Sequence, residues 1–425
     1  MASSTALSKN WQRPYFTIWF GQLFSILGSI LVQFALIWYL TEKTGSATIL
    51  AMATLVGFVP EIVLGPFVGA LVDRWNRRKV LMISDGSVAL VTLGLVVLFW
   101  LGIIQTWHIL IALFLRSLAG TFHFPTFQAS TALMVPDEHL SRISGINQAA
   151  RGALNIVGPP LGALMLAWLP MHFVLMVDIV TAALAVFTVS LVAIPQPAQS
   201  DTSPVTPRSV LADVSVGIRY VRAWPGLMAV ILMATFLNFM LTPTGALTPL
   251  LITKHFNGGA VELGWIESAS GLGVVVGGLL LGVWGGFRKK VVTSLLGIVG
   301  LGAGILIVGL APSALFPLAL FGMALTGFMN PITNGPLMAL MQARVAPEMQ
   351  GRVFTLMGAG CSAMVPLSML LAGPLSDLLG IRTWFWVSGA ACMIMGLLAF
   401  TIPAIMTMEE QNTAPLVPVS AAASD

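Results

Sequence analysis

The sequence predicts an all-α integral membrane protein: twelve transmembrane helices in two six-helix bundles, with both termini in the cytoplasm. Composition is the first observation. Charged residues are 8% of the 425-residue chain, hydrophobic residues 57%, and mean hydropathy is +0.93, where an average soluble domain carries about 25% charged residues. Spacing is the second, because a spanning helix needs about 20 apolar residues. Such runs fall near 16–40, 48–72, 80–102, 107–131, 144–168, 173–194, 226–252, 261–285, 291–311, 314–340, 354–376 and 383–405. The third is charge placement. With the N-terminus inside, fifteen of the 20 Lys and Arg residues fall in cytoplasmic segments. Lys43, Lys254 and Arg382 fall outside, and Arg116 and Arg151 lie within spans. That asymmetry sets the orientation.

The polar, proline-rich stretch 195–207 cannot span a bilayer and divides six spans from six. The expected organisation is an N-terminal bundle over 1–195, a cytoplasmic linker over 196–224, a C-terminal bundle over 225–406 and a cytoplasmic tail over 407–425. Within the linker, Val210, Leu211, Val214, Ile218 and Val221 recur at roughly helical spacing with Arg219 and Arg222 among them, which predicts a short helix on the inner membrane surface. VPDEHLSRI at 135–143 and VAPEMQGRVF at 345–354 sit at equivalent places. In each, a proline and an acid precede an arginine that opens the next helix, so the halves read as copies.

Taken in order, the first span carries Gln22, Ser25, Ser29 and Gln33 on one face. The second carries Glu61 on a stripe with Gly57, Gly65 and Gly69. That spacing fits a close helix-packing face, and a carboxyl group at that depth equally fits proton carriage. The turn after it packs Asp73, Arg74, Arg77, Arg78 and Lys79 between two apolar spans, and Asp85 just inside the third span is expected to pair with one of those arginines as part of a gate. In the fourth span Arg116, Gly120, His123 and Phe127 share a face. An ionisable group inside a bilayer costs about 2.5–3.5 kcal/mol by insertion measurements, so Arg116 needs either a functional role or helix-tying contacts. Candidate partners are Glu61, Asp178 in the sixth span and Glu267 in the eighth. Asp178 leans to proton carriage, and Glu267 is near enough to the outer surface for a solvated role.

The fifth span contains GALNIVGPPLGA over 152–163, in which glycine permits close helix approach and Pro159 a bend. Asn238 and Thr242 share a face in the seventh span, as do Asn330 and Asn334 in the tenth. These stripes, with Phe34, Trp38, Phe127 and Met240 as apolar surface, suit a cavity for an amphiphilic ligand. Cys361 and Cys392, both inside spans, read as packing residues. The first span has no small-residue cleavage site after it and is expected to stay as structure. The histidines lack metal-ligand spacing and there is no G-x-x-x-x-G-K loop, so neither an enzyme, a bound metal or cofactor, nor ATP as driving force is expected. The cations flank the membrane and give no argument for nucleic acid.

Three of these segments resemble signatures of the major facilitator superfamily of transporters. Gly69, Asp73, Arg74, Arg77 and Arg78 match the loop pattern between helices 2 and 3, with Asn76 where glycine is usual; Asn also enters a left-handed turn readily. Arg116 and Gly120 match the fourth-helix pattern, whose arginine is implicated in proton coupling. Gly158, Pro159 and Gly162 match the fifth-helix pattern associated with antiporters, with Gly152 two residues early and Ala163 in the last glycine's place. The loop 286–290 keeps the cations of the first motif and lacks its Asp. LVDRWNRRKVL, and a first helix free of acids, look like the macrolide-efflux branch, which also includes siderophore exporters.

The resemblance implies a monomeric, proton-driven antiporter of the bacterial inner membrane, exporting amphiphilic drugs such as macrolides by alternating access. It implies Arg116, Asp178 and Glu61 in proton coupling. Substrate contacts would come from Gln22, Ser29, Gln33, Phe34, Trp38, His123, Phe127, Asn238, Thr242, Asn330 and Asn334. Gating would fall to Gly69, Asp73, Arg74, Arg77, Arg78, Asp85, Gly158, Pro159 and Gly162. Export of an endogenous siderophore, lipid or metabolite, a non-transporting binding or sensing role, and sodium in place of the proton are the alternatives that the residues leave open.

Overall fold

The structure, a computed structural model, describes residues 11–196 and 207–409. These form α1 (Gln12–Thr44), α2 (Ala47–Arg74), α3 (Arg77–Trp100), α4 (Thr106–Met134), α5 (Asp137–Trp168) and α6 (Met171–Leu191). After α7 (Pro207–Ala223) come α8 (Pro225–Lys254), α9 (Ala260–Trp284), α10 (Lys290–Leu310), α11 (Phe316–Arg344), α12 (Pro347–Leu379), α13 (Ile381–Ala399) and the one-turn α14 (Pro403–Met406). Setting aside α7 and α14, twelve long helices stand where twelve spans are expected. The last ends before its expected bound. It stops at Ala399, and the chain turns at 400–402 before Pro403 opens α14, because proline is suited to a helix's first turn and not its interior.

Eleven of the twelve long helices contain a stretch apolar enough to cross a membrane, and α5 is the exception. Its polar residues Ser144, Asn147, Gln148 and Arg151 lie three and four apart on one face, and they line a cavity. Elsewhere the outward surface is apolar, with Val283, Leu378 and Leu90 among its exposed side chains, as lipid contact requires. Trp100, Trp107 and Trp168 lie exposed at helix ends, the interfacial position favoured by amphipathic rings.

The starts of α2 and α3 are capped by side chains. Ser46 accepts a hydrogen bond from the Ile49 N–H at 3.3 Å, and Asn76 accepts one from the Lys79 N–H at 3.1 Å. Asn76 is therefore extended, with φ −67° and ψ 107°, and does not take the left-handed turn expected of it. Its carboxamide serves better as an N-cap, satisfying one of the orphan donors of α3. Both proline-acid repeats open helices themselves. Pro136 precedes the first residue of α5 and Pro347 is the first residue of α12, so Arg142 and Arg352 sit in the second turn.

The described residues fall into two compact units, one bounded by Met1–Ser203 together with Ile252–Ser268, the other by Pro204–Leu251 together with Ala269–Asp425. In the first, α1 packs on α5 and α6, and α3 on α4 and α6, while α2 lies on α4. Gly21 and Gly28 of α1 let it approach Thr188 and Thr181 of α6. Gly158 and Gly162 of α5 receive Ile30 and Phe34 of α1, a Cβ at Gly162 falling 2.9 Å from the Phe34 ring. The α8–α9 hairpin tip belongs here as well, since a Cβ at Gly264 lies 3.0 Å from that of Ala163.

In the second unit α10 is the centre, packed on α11 and α13 through Gly297, Gly302 and Gly304. The apolar face of α7 turns against protein and not, as expected, toward lipid alone. Val221 and Trp224 are buried in a core with Leu227, Val291 and Val345, Gly217 faces Arg352 of α12, and the Ala346 N–H donates to the Tyr220 hydroxyl at 3.3 Å. The side chains of 207–214 lie outside the described ones.

Candidate functional site

The first unit is crossed by two polar rungs, built from three helices that each repeat a polar residue seven places apart: Gln22 and Ser29 on α1, Asp85 and Thr92 on α3, Arg116 and His123 on α4. Seven residues are two turns, about 10.5 Å, so the pairs stack into two levels.

The first rung centres on Asp178 of α6, which is fully buried. It pairs with Arg116, accepts from Ser29 Oγ at 3.0 Å on one oxygen and from Thr92 Oγ1 at 2.8 Å on the other. Arg116 also donates to Thr92 Oγ1. A threonine hydroxyl has one proton, so Thr92, also 2.9 Å from the Val88 carbonyl, can give it to one acceptor at a time. Of the three candidate partners for Arg116, Asp178 is the one in contact. Glu61 is exposed on α2 and Glu267 is half-buried in α9. The glycines flanking Glu61 are not a close-packing face: a Cβ at Gly57 or Gly65 meets open space.

The second rung centres on Asp85. Its oxygens accept from Gln22 Nε2 at 2.9 Å and Ser25 Oγ at 3.2 Å, and His123 Nε2 stands 3.5 Å away. His123 Nε2 also lies 2.6 Å from Gln22 Oε1. Since Gln22 presents its amide N–H to a carboxylate, its oxygen faces the ring, and His123 Nε2 must be the protonated nitrogen. This corrects the expectation that Asp85 pairs with the loop arginines. Asp85 lies two turns into α3, beyond their reach. Arg77 Nη1 donates instead to the Ala129 carbonyl at 2.8 Å, and Arg78 to the Val189 and Ser190 carbonyls in the last turn of α6. The two carbonyls of α6 lie at its C-terminal end, which carries the negative end of the helix dipole. Arg74 is exposed in the last turn of α2, and the side chains of Gly69 and Asp73 lie outside the described ones.

A cavity of about 520 Å³ adjoins the second rung through Gln22. Trp19, Leu23 and Ile26 of α1, Phe124, Phe127 and Gln128 of α4, and Ser144, Asn147, Gln148 and Arg151 of α5 line it. Trp19 Nε1 donates to Asn147 Oδ1 at 2.6 Å, and the Tyr15 hydroxyl adds a bond at 3.3 Å. The second unit has its own cavity, of about 420 Å³, lined by Asn238, Thr242, Asn330 and Asn334 among leucines and by Ser294, whose buried hydroxyl has no hydrogen-bond partner. Asn238 and Asn334 donate to the carbonyls four residues back, Ala234 and Asn330.

The predicted ligand contacts therefore separate. Gln22 and Phe127 line the first cavity and the four amide and hydroxyl residues the second. Trp38 lines a third, of about 670 Å³, with Tyr39, Glu42 and Glu262. Ser29 is spent on Asp178, Phe34 fills the α1–α5 contact, and Gln33 is exposed on α1. Sequence reasoning missed Thr92 and Asn147, and placed Arg151 within a span without giving it a role; the seven-residue spacing from Asp85 and the one-sided polar face of α5 are the signals for them. Among the described residues no cluster of His, Cys, Asp or Glu could hold a metal ion.

A family model described as "Transmembrane secretion effector", of the major facilitator class, matches residues 4–423. The chain belongs to this family. Among the similar curated proteins is Macrolide efflux protein A of Streptococcus pyogenes, 33% identical over 400 residues, which are 94% of this chain and 98% of that one. The multidrug efflux pump Tap of Mycolicibacterium fortuitum is 27% identical over 93% of this chain and 97% of its own. Among solved structures, a bacterial homologue of the iron transporter ferroportin in an inward-facing state superposes with TM-score 0.72 at 14% identity, covering 94% of this chain and 99% of that one. This transmembrane secretion effector is thus a multi-pass membrane protein of the major facilitator fold.

The family motifs can be weighed one by one against the packing. A Cβ at Gly158 or Gly162 would crowd the Ile30 or Phe34 side chain, and α5 runs unbroken through Pro159 and Pro160. Gly120 is different: it is exposed, and a Cβ there meets nothing within 4 Å. Gly120→Ala is expected to keep or slightly raise the thermal midpoint, since alanine is favoured in helices by up to about 1 kcal/mol. Differential scanning fluorimetry of the purified variant checks this.

Proposed function

We propose that this protein is a proton-driven exporter of amphiphilic drugs such as macrolides, acting as a monomer in a bacterial cytoplasmic membrane with its basic loops inside. The observation that carries the reading is the buried Arg116–Asp178 pair. Neither member can change charge alone, because an uncompensated buried charge costs about 3–5 kcal/mol. A proton arriving on Asp178 must therefore be accompanied by a rearrangement that gives Arg116 new acceptors, and such a rearrangement couples proton entry to rocking of the bundle. The proton gradient is the sole driving force, with no cofactor. It supplies about 2.3 kcal/mol per charge per 100 mV. The second rung offers a further proton station, since Asp85 and His123 meet at Gln22, which also lines the cavity. The names of the relatives support export of drugs, and the aromatic and amide wall of the first cavity and the aliphatic and amide wall of the second suit amphiphiles. Glu61, exposed on α2, remains the alternative carrier.

Everted vesicles from cells lacking other pumps test this. An imposed pH gradient, acid inside, should drive macrolide uptake into wild-type vesicles, and drug addition should release protons from the lumen. Asp178→Asn should abolish both at equal protein level. Uptake that persists after the pH gradient is collapsed would sink proton coupling, and uptake unchanged in Asp178→Asn would move the proton to Glu61.

A further inference from the structure

We propose that the cavity between α1, α4 and α5 is a site for an anionic head group. It takes the carboxylate or phosphate of an amphiphile against Arg151, with Trp19 and Phe124 beside the apolar body. The proposal rests on the reading of the protein as an exporter and adds an anionic amphiphile to the basic macrolides, whose amine this site would repel while the second unit's cavity, lined by no ionisable residue, would not.

Arg151 lies at the middle of α5, which spans Asp137–Trp168, and a cation at that depth needs compensation. Among the described residues it has no carboxylate partner and no hydrogen bond. Its one recorded contact is the guanidinium carbon 4.2 Å above the centre of the Phe124 ring. Five N–H donors on a half-buried side chain are thus left for a ligand. The nearby acids are already committed, Asp178 to Arg116 and Asp85 to Gln22 and Ser25, and no Asp or Glu lines the cavity.

The other polar groups point the same way. Asn147 has its oxygen held by Trp19 and Tyr15, so its two N–H donors remain. Gln128 and Gln148 are exposed in the same cavity. A planar guanidinium flanked by amide donors matches the oxygens of a carboxylate or phosphate. A cationic group would instead meet a like charge in a region of low dielectric. The second unit's cavity has no ionisable lining residue, so this discrimination belongs to the first unit.

The test is direct binding to purified protein in phosphatidylcholine nanodiscs, which needs neither transport nor a gradient. The probe is 11-(dansylamino)undecanoic acid, compared with its methyl ester. The acid should bind about tenfold to a hundredfold more tightly, the range expected for a charge-assisted pair. Arg151→Gln should remove that preference while leaving the ester's affinity unchanged, and Arg151→Lys should keep part of it. Dihexanoylphosphatidylglycerol that displaces the probe would identify a lipid head group as the source of the anion. Displacement by soluble undecanoate alone would identify a free solute. Equal binding of acid and ester to wild type overturns the proposal whether or not the variants fold, as does an equal loss of both in a folded Arg151→Gln. Binding with this pattern in a protein that fails the vesicle assay would sink proton-driven export of macrolides and leave the site standing.

Discussion

Asp178→Ala is expected to lower stability by about 3–5 kcal/mol, because it strands Arg116 as a buried cation without its counter-charge. Ser29 would lose its acceptor at the same time, and Thr92 would keep only the Val88 carbonyl. Removing both charges should hurt less than removing one, since well-packed apolar residues often replace a buried pair with little cost. The double variant Arg116→Leu with Asp178→Leu is therefore expected to regain much of the midpoint lost in Asp178→Ala, while transport stays absent in both. Thermal unfolding in detergent, read alongside vesicle uptake, separates the two effects. A double variant no more stable than the single would mean that the pair is not the source of the loss. Recovery of transport in the double variant would remove the pair from the mechanism.

Gly327→Ala is the second large effect. Gly327 of α11 faces α9, where a Cβ would fall on the Ser270 carbonyl oxygen, and Gly273 and Gly277 of α9 face the Ala324 and Phe328 carbonyls in return. Those atoms are backbone and cannot rotate aside, so α9 and α11 must separate. Overpacking typically costs about 1–3 kcal/mol, and a backbone obstacle belongs at the upper end. Gly158→Ala should be milder, because its obstacle is the Ile30 side chain, which has other rotamers. Midpoints falling in the order Gly120→Ala, Gly158→Ala, Gly327→Ala, measured by size-exclusion fluorescence after heating, are the expected result. A Gly327→Ala protein as stable as wild type would show that the α9–α11 contact is looser than it stands here.

The candidate site was legible where one helix carries the whole signal. Arg116 declares itself because any charge in a span demands a reason, and Asp178 was among its three possible partners. The choice among those partners depends on which helices touch, and α3, α4 and α6 meet by packing that no single span encodes. The stripe Gln22, Ser25, Ser29 was read as cavity lining for the same reason. A polar face on a spanning helix must avoid lipid, but periodicity does not say whether it meets water or a buried acid. Here it meets Asp85 and Asp178, and the cavity lies on the adjacent face through Trp19, Leu23 and Ile26. Arg151 was visible as an intramembrane cation, yet its openness to a ligand follows only from the absence of an acid around it.

By itself the sequence determined that this chain lives in a membrane, that twelve helices cross it in two related sets, and which family it belongs to. Hydrocarbon accepts only helices or closed barrels, whose backbones are satisfied, and apolar runs of helical length, loop charges and glycine spacings are local facts. Tertiary structure alone decided which acid holds Arg116, that Asp85 turns inward to Gln22 and His123, and that Arg77 reaches a carbonyl of α4 while Arg78 holds the end of α6. Those outcomes are pairings between distant segments, and a buried charge settles with whichever partner the packing brings within a few ångströms.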